Sequence, residues 1–280
     1  MQIEKSSKTG YCFGVRRAID MLEKEARERG TIEALGEVVH NEAVIRKLAV
    51  SGVKISSGIE DIRDNAVCLS AHGVSPSVYD ALKARGIEII DTTCPIVQRA
   101  QKSAKQLRDS GLFVIVYGDA DHAEVKGILG WADNRGMAAT DIKKIKELEN
   151  LPRRIGVLSQ TTQIQAKFLD FTKELLDTAC RENSEICIID TLCPDLKSRQ
   201  SAALDLAKRV DLMLVVGGRK SANTNHLAEL CATATETHKI AAAEELIPGW
   251  FKAKEKVGVT AGTSTADSTV KEVIKKLNSL

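Results

Sequence analysis

Three cysteines stand where thiolates could converge on one metal centre. Cys94 closes the run Asp91-Thr92-Thr93-Cys94-Pro95, and Cys193 closes Asp190-Thr191-Leu192-Cys193-Pro194, 99 residues later (94 to 193). An apolar stretch precedes each copy, at 87–90 and 186–189, and a helical pattern follows. Cys12 lacks this spelling, but Val15, Ala18, Ile19, Leu22 and Ala26 follow it at helical spacings of three and four. From each cysteine the next landmark is a glycine closing a strand-like run, always 24 residues on (12 to 36, 94 to 118, 193 to 217). Such a fixed step marks an internal repeat. A single cysteine at a strand end is usually a small buried hydrophobe. Three at equivalent places suit a metal, either zinc with a fourth ligand or an iron–sulfur cluster with one iron left open. Of the seven cysteines, Cys68 and Cys187 sit inside apolar strand-like runs, and Cys180 and Cys231 have no motif around them. None of these four is expected to do chemistry, and a disulfide framework is not expected in a reducing cytosol.

Each repeat also carries two polar loops. The first set is Glu37-Val38-Val39-His40-Asn41, Asp119-Ala120-Asp121-His122-Ala123-Glu124 and Gly218-Arg219-Lys220-Ser221-Ala222-Asn223. The second is Leu69-Ser70-Ala71-His72-Gly73, Leu158-Ser159-Gln160-Thr161-Thr162 and Val259-Thr260-Ala261-Gly262-Thr263-Ser264. His40, His72 and His122 fall just after strand ends, whereas His226 and His238 lie in stretches read as helical. With Thr161, Ser221, Asn223 and Ser264 they offer donors suited to phosphate oxygens, and helix N-termini add N–H groups and a favourable dipole. The expected ligand is a small phosphate or diphosphate ester. No G-x-x-x-x-G-K-[ST] run is present, so nucleotide hydrolysis has no support. Glu124 follows His122 by two residues; enclosed beside a metal centre, its carboxyl would titrate high enough to serve as a general acid.

The elements that must position these groups are strands alternating with helices. Near-continuous apolar runs, such as 113–116, predict parallel sheets covered by helices. Ligands of such sheets bind beyond the carboxyl ends of the strands, where all six loops lie. The chain thus divides into three related α/β units, 13–94, 95–193 and 194–280 together with 1–12, the N-terminal segment supplying the strand that the third unit lacks. A length of 280 residues suffices for two or three separate cores. Forty basic and 38 acidic residues leave a net charge of +2, which gives no footprint for nucleic acid or an anionic membrane. Residues 1–10 lack the apolar core of a signal peptide, and no apolar run nears the ~18 residues of a membrane span. A soluble, cytoplasmic protein is expected.

Taken in order, Gly10-Tyr11-Cys12-Phe13-Gly14-Val15, Val39-His40-Asn41, Ser70-Ala71-His72-Gly73-Val74, Thr93-Cys94-Pro95, His122-Ala123-Glu124, Ser159-Gln160-Thr161-Thr162, Thr191-Leu192-Cys193 and Gly258-Val259-Thr260-Ala261-Gly262 span nearly the whole chain. This constellation resembles the hydroxymethylbutenyl diphosphate reductase family of the methylerythritol phosphate route to isoprenoids. The resemblance implies a pseudo-threefold trefoil of three α/β units around a [4Fe-4S] cluster held by Cys12, Cys94 and Cys193. It implies reductive dehydroxylation of (E)-4-hydroxy-3-methylbut-2-enyl diphosphate to isopentenyl and dimethylallyl diphosphates, with electrons from a reduced ferredoxin- or flavodoxin-type donor. Glu124 would relay protons with Thr161 and His122, while His40, His72, His122, Thr161, Ser221, Asn223 and Ser264 would contact the substrate. The chain departs from the family pattern at Ala222, where serine is common, at Asp121 and Ala123 beside His122, at Pro194-Asp195, and around Ser264. A redox-neutral iron–sulfur hydro-lyase acting on a small phosphorylated substrate is the rival reading, distinguished by needing no electron donor; a non-enzymatic cluster protein and a structural zinc protein are further alternatives.

Overall fold

The apolar runs form strands and the 3.6-residue patterns form helices, in alternation along the chain. A computed structural model describes residues 1–180 and 184–280. The chain begins with β1 (Gln2–Lys5) and α1 (Phe13–Arg29), followed by β2 (Ile32–Leu35), α2 (Glu42–Val50), β3 (Val53–Ser56), β4 (Ala66–Leu69), α3 (Pro76–Ala84) and β5 (Glu88–Asp91). The order then recurs as α4 (Pro95–Asp109), β6 (Phe113–Tyr117), α5 (Ala123–Trp131), β7 (Gly136–Ala139), the one-turn α6 (Lys143–Lys146), β8 (Arg154–Ser159), α7 (Gln165–Ala179) and β9 (Glu185–Ile188). The last set is α8 (Pro194–Ala207), β10 (Leu212–Val216), α9 (Ala222–Ala232), β11 (Glu236–Ile240), β12 (Lys256–Ala261) and α10 (Asp267–Leu277).

The strands make three four-stranded sheets, ordered β3-β2-β4-β5, β7-β6-β8-β9 and β11-β10-β12-β1. Every pairing is parallel. In the third sheet β1 pairs with β12, Gln2 opposite Lys256 and Lys5 opposite Val259, and so fills the place that β5 and β9 hold in the other two. Interior strands are buried on both faces: all five residues of β10 and all four of β4 are inaccessible, which explains their unbroken apolar spelling. Helices cover them with one stripe each; α1 buries Val15, Ala18, Ile19, Leu22 and Ala26 against β2 and β4. Each fully buried leucine or isoleucine contributes roughly 1.5–3 kcal/mol, so each sheet has a core of its own. Among the described residues no helix is long and apolar enough to cross a membrane.

The glycines at the 24-residue step are required for two different reasons. Gly36 adopts φ +73°, a conformation that L side chains resist. Gly118 and Gly217 instead have no room for a side chain: a Cβ would lie 2.8 Å from the Gln160 Cβ and 2.5 Å from the Thr224 Oγ1 respectively. One expectation is corrected here. His238 is not helical but lies on β11, stacked on Trp250 at 4.0 Å between ring centres, with Nε2 2.9 Å from Glu236. The β-branched neighbours Thr237 and Ile240 favour the pleated surface that the spacing alone did not reveal.

Candidate active site

Cys12, Cys94 and Cys193 are the N-caps of α1, α4 and α8. Pro95 and Pro194 occupy the first turn of their helices, where a missing N–H costs nothing. Each cysteine is anchored in the same way, its backbone N–H donating to the loop that follows an interior strand: Cys12 to Thr263 O (3.1 Å), Cys94 to Ala71 O (3.1 Å) and Cys193 to Thr161 O (3.0 Å). The Cys12 and Cys94 sulfurs face helix N–H groups, those of Ile96 and Val97 at Cys94 and that of Val15, 3.5 Å from Sγ, at Cys12. Gly14 leaves the Cys94 sulfur uncovered at the start of α1, since a Cβ there would lie 2.5 Å from Sγ. Burial holds the Cys12 and Cys94 thiols above their ordinary range; helix N–H groups oppose this, and the other cysteines add to it. Thiols held up in this way ionise when a metal cation takes the place of the proton.

Three arginines lock the ring. Arg17 Nη1 donates to Thr93 O (3.2 Å), Arg99 Nη2 to Asp190 O and Leu192 O (both 3.4 Å), and Arg199 Nη1 to Gly10 O (2.9 Å). Each arises from the helix opened by one cysteine and clasps the loop carrying the next, so the three loops are tied in a closed circuit.

The polar loops meet in a cavity of about 60 Å³ lined by His40, His72, His122, Thr162, Ser221, Ala222, Asn223, Thr263 and Ser264, with Val15 and Val39. His40 and His72 stack with ring centres 4.6 Å apart, and His122 meets them edge-on at 5.4 and 5.3 Å. Their ring nitrogens lie within 4.8 Å of one another, close enough to serve one ion or one phosphate group. Burial pushes His72 down to about 3 and His122 to about 4, with neighbouring His40 adding to both, so these two imidazoles are neutral at pH 7. Ser221 caps α9, and Asn223 Nδ2 donates to Thr263 Oγ1 (3.2 Å). Thr162 Oγ1 and Ser264 Oγ are buried without a partner among the described residues, an arrangement that an oxygen-rich ligand would satisfy.

Glu124, in the first turn of α5, is only 1 % exposed. Thr161 holds both carboxyl oxygens, its N–H donating to Oε1 (2.6 Å) and its hydroxyl to Oε2 (3.1 Å). Burial pushes the Glu124 pKa up to about 7, and the Thr161 bonds pull it back. The Glu124 N–H in turn donates to His122 Nδ1 (3.2 Å), which puts the proton of the neutral imidazole on Nε2. Three clasps join the units around these loops: Asn41 Nδ2 to Ser264 O (2.7 Å), Trp131 Nε1 to Val74 O (3.0 Å) and His226 Nδ1 to Thr162 O (3.0 Å).

The three expected histidines, Ser221, Asn223 and Ser264 thus share one cavity, and Thr161 sits with Glu124 in a buried pair. Thr162, Asn41 and the three arginines were not anticipated. A signal existed for the arginines, because Arg17 and Arg99 each follow their cysteine by five residues and Arg199 follows by six.

Residues 3–278 match the family model described as LytB protein. The chain belongs to the LytB protein family. It is 50 % identical over 280 residues to the 4-hydroxy-3-methylbut-2-enyl diphosphate reductase of Dehalococcoides mccartyi strain CBDB1, covering 100 % of this chain and 99 % of that one. The enzyme of that name from Geobacter metallireducens is 37 % identical over 281 residues, with 100 % and 98 % covered. Among solved structures, the E-1-hydroxy-2-methyl-but-2-enyl-4-diphosphate reductase of Plasmodium falciparum superposes with a TM-score of 0.92 at 23 % identity, covering 99 % of this chain and 88 % of that one, and so shares the fold. A second, described as (E)-4-hydroxy-3-methyl-but-2-enyl diphosphate reductase, the terminal enzyme of the non-mevalonate pathway, gives a TM-score of 0.71 at 31 % identity with both chains fully covered.

Proposed function

We propose that this LytB family member removes the hydroxyl of (E)-4-hydroxy-3-methylbut-2-enyl diphosphate, giving isopentenyl and dimethylallyl diphosphates. The C–O bond breaks, a C–H bond forms, and two electrons and two protons are consumed for each water released. The observation that carries this reading is a fully buried carboxyl, Glu124, poised between its acid and its anion next to a ring of three N-cap cysteines.

The donor set fits an iron–sulfur cluster, because three cysteines stand at the N-caps of three helices, the Cys12 and Cys94 thiols are raised by burial, and Gly14 leaves the Cys94 sulfur open. Cys12, Cys94 and Cys193 would hold a [4Fe-4S] cluster; when bound, it supplies the two electrons and an iron with an open position. A reduced ferredoxin- or flavodoxin-type protein in the cytoplasm would supply the electrons in turn. The units divide after Cys94 and Cys193, so each cysteine loop belongs to one unit and its helix to the next.

The remaining work falls to the chain. His40, His72 and His122 with Ser221, Asn223 and Ser264 bind the diphosphate. Its negative charge favours imidazolium, reversing the depression that burial imposes on His72 and His122 in the free cavity. Ala222 contributes only its backbone N–H at the start of α9, one side-chain donor fewer than a serine would give. Glu124 holds a proton near neutral pH and delivers it, with the Thr161 hydroxyl 3.1 Å from Oε2 positioned to pass it on.

The test is an anaerobic assay of protein reconstituted with iron and sulfide, using a strong chemical reductant and following both products by NMR. A brown protein that turns over is expected. A colourless protein, or one that dehydrates substrate without any reductant, overturns the reading.

A further inference from the structure

Glu37 does no work for the fold. It stands in the loop between β2 and α2, and among the described residues its carboxylate makes one polar contact, Oε2 to His40 Nδ1 at 2.9 Å. Glu33, four residues earlier, shows what a structural carboxylate does here: it accepts from the Ser56 hydroxyl and from the Arg63 and Asp64 N–H groups, and so braces a turn. Glu37 braces nothing but one imidazole of the cavity.

A carboxylate oxygen accepts and cannot donate, so the proton of the neutral His40 ring sits on Nδ1 and the lone pair on Nε2. His122 is the reverse, because its Nδ1 takes the Glu124 N–H and its proton sits on Nε2. These two rings, 5.4 Å apart, therefore offer a donor and an acceptor to one ligand. The backbone around His40 is pinned independently of Glu37: Asn41 caps α2 and donates to Ser264 O, and Gly218 packs on the His40 carbonyl, where a Cβ would come within 2.3 Å of the oxygen. A second cavity, about 50 Å³, shares His40 with the first and is lined also by Glu37, Glu42, Arg219 and Lys220. With His72 and His122, these are the charged and titratable groups that face His40.

Resting on the diphosphate-binding reading above, we infer that Glu37 is a positioning residue that makes His40 the point at which the bound diphosphate carries a proton. An ionised phosphate oxygen only accepts, and so does Nε2 of a ring tied to Glu37, so the two meet only across a proton. That proton arrives with the ester or from water, and no other bond changes. In the complex the ring donates at both nitrogens, to Glu37 on one side and to phosphate on the other, and the carboxylate balances the charge that the ring then holds.

The test uses the reconstituted holoenzyme under anaerobic conditions, with isopentenyl diphosphate as the probe, an ester that has no hydroxyl to remove. Titration calorimetry at about pH 8, in buffers of different ionisation enthalpy, counts the protons taken up per ester bound; the last phosphate proton of the free ester leaves near about pH 6, so the ester itself brings none. Glu37→Gln keeps the size of the side chain, but its amide N–H can donate to Nδ1, which leaves the ring proton on Nε2 to meet phosphate directly. The wild type should take up about one proton more than Glu37→Gln, and the variant should bind about five-fold more weakly or worse, because a charge-assisted bond is lost. Glu42→Gln removes the same charge from the same small cavity without touching the His40 hydrogen bond, and should keep the wild-type proton count. Equal uptake by the wild type and Glu37→Gln, or an equal loss of uptake in Glu42→Gln, overturns the assignment. A wild type that does not bind the ester at all would instead overturn the diphosphate reading.

Discussion

At the cysteine ring the three units do the same thing three times: a cysteine caps a helix, its N–H is held by a strand-end loop, and an arginine clasps the next loop. At the cavity, equivalent strand ends carry different groups. His40 and His72 come from the first unit, His122, Glu124 and Thr161 from the second, and Ser221, Asn223 and Ser264 from the third. On the proposed reading, with a cluster on the three cysteines and a diphosphate ester in the cavity, the difference follows from the shapes of the ligands. A cluster held at three corners has a threefold axis, so equal corners suit it. A diphosphate ester has a charged end and a reacting end, and repeated identical loops could not serve both. Repetition would then survive where the proposed ligand is symmetric and be lost where it is not.

If the two regions have separate tasks, substitutions at the cavity should reach turnover without touching metal, and those at the ring should do the reverse. The largest effect is expected at Glu124. Glu124→Gln keeps an acceptor for the Thr161 N–H but has no proton to give, and turnover should fall roughly 10²–10⁴-fold while iron per chain stays constant. Steady-state rates and metal content from one preparation check both halves; a loss of iron in parallel with activity would join the two regions.

The same residue makes a pH prediction for the metal-free protein. The folded pKa of about 7 lies above the ordinary 4.5, so the fold favours the protonated form. The native state therefore binds more protons between these values, stability falls as pH rises from 4.5 to 7, and it is flat beyond, a total of about 3 kcal/mol. Glu124→Gln should match the wild type near pH 4.5 and exceed it at pH 8 in urea unfolding. His72 and His122 act in the opposite sense, because folded values of about 3 and 4 lie below 6.5 and their contribution is lost as pH falls from 6.5. Comparing variant with wild type cancels that second slope.

Much of this arrangement was legible in the sequence, for identifiable reasons. The parallel sheets were visible because interior strands such as Leu212–Val216 are apolar throughout. The ring was visible because the cysteine-to-glycine step is invariant at 24 residues. The histidines at strand ends could be assigned to one cavity because parallel sheets put those ends on one side. His238 could not be placed, since a polar strand at a sheet edge has no apolar period to read. Asn41, Trp131 and His226 were hidden for another reason. Their partners are loop carbonyls 223, 57 and 64 residues away, and a backbone acceptor leaves no trace in residue type.

The ring has one unequal corner, and energetics should expose it. Arg199 is buried and also pairs with Asp195 (2.8 Å), whereas Arg99 is exposed and makes two 3.4 Å contacts. Arg199→Ala leaves the Gly10 carbonyl without its partner and should cost about 2–4 kcal/mol, together with iron retention. Arg99→Ala should cost less than about 1 kcal/mol. Urea midpoints and iron bound after gel filtration measure both; equal costs would mean that the corners are energetically alike despite the difference in burial.

The smallest effects concern how each corner shapes its turn. In two of them an aspartate does so locally, Asp91 Oδ1 accepting the Thr93 N–H (2.9 Å) and Asp190 Oδ1 the Leu192 N–H (3.1 Å). The Cys12 corner has no such aspartate and relies on Gly10 at φ +78°. Gly10→Ala forces a side chain into that conformation and brings its Cβ 2.6 Å from the Asp267 carboxylate, which is exposed and can swing aside. The residual cost is the backbone term, about 1 kcal/mol. Asp190→Ala removes a partly exposed acceptor and should cost about 0.5–1 kcal/mol, most of it restored by Asp190→Asn, whose Oδ1 still accepts. If Asp190→Asn is as damaging as Asp190→Ala, the charge pair with Lys197, and not the turn, holds that corner. The two kinds of corner would then differ in electrostatics more than in backbone shape.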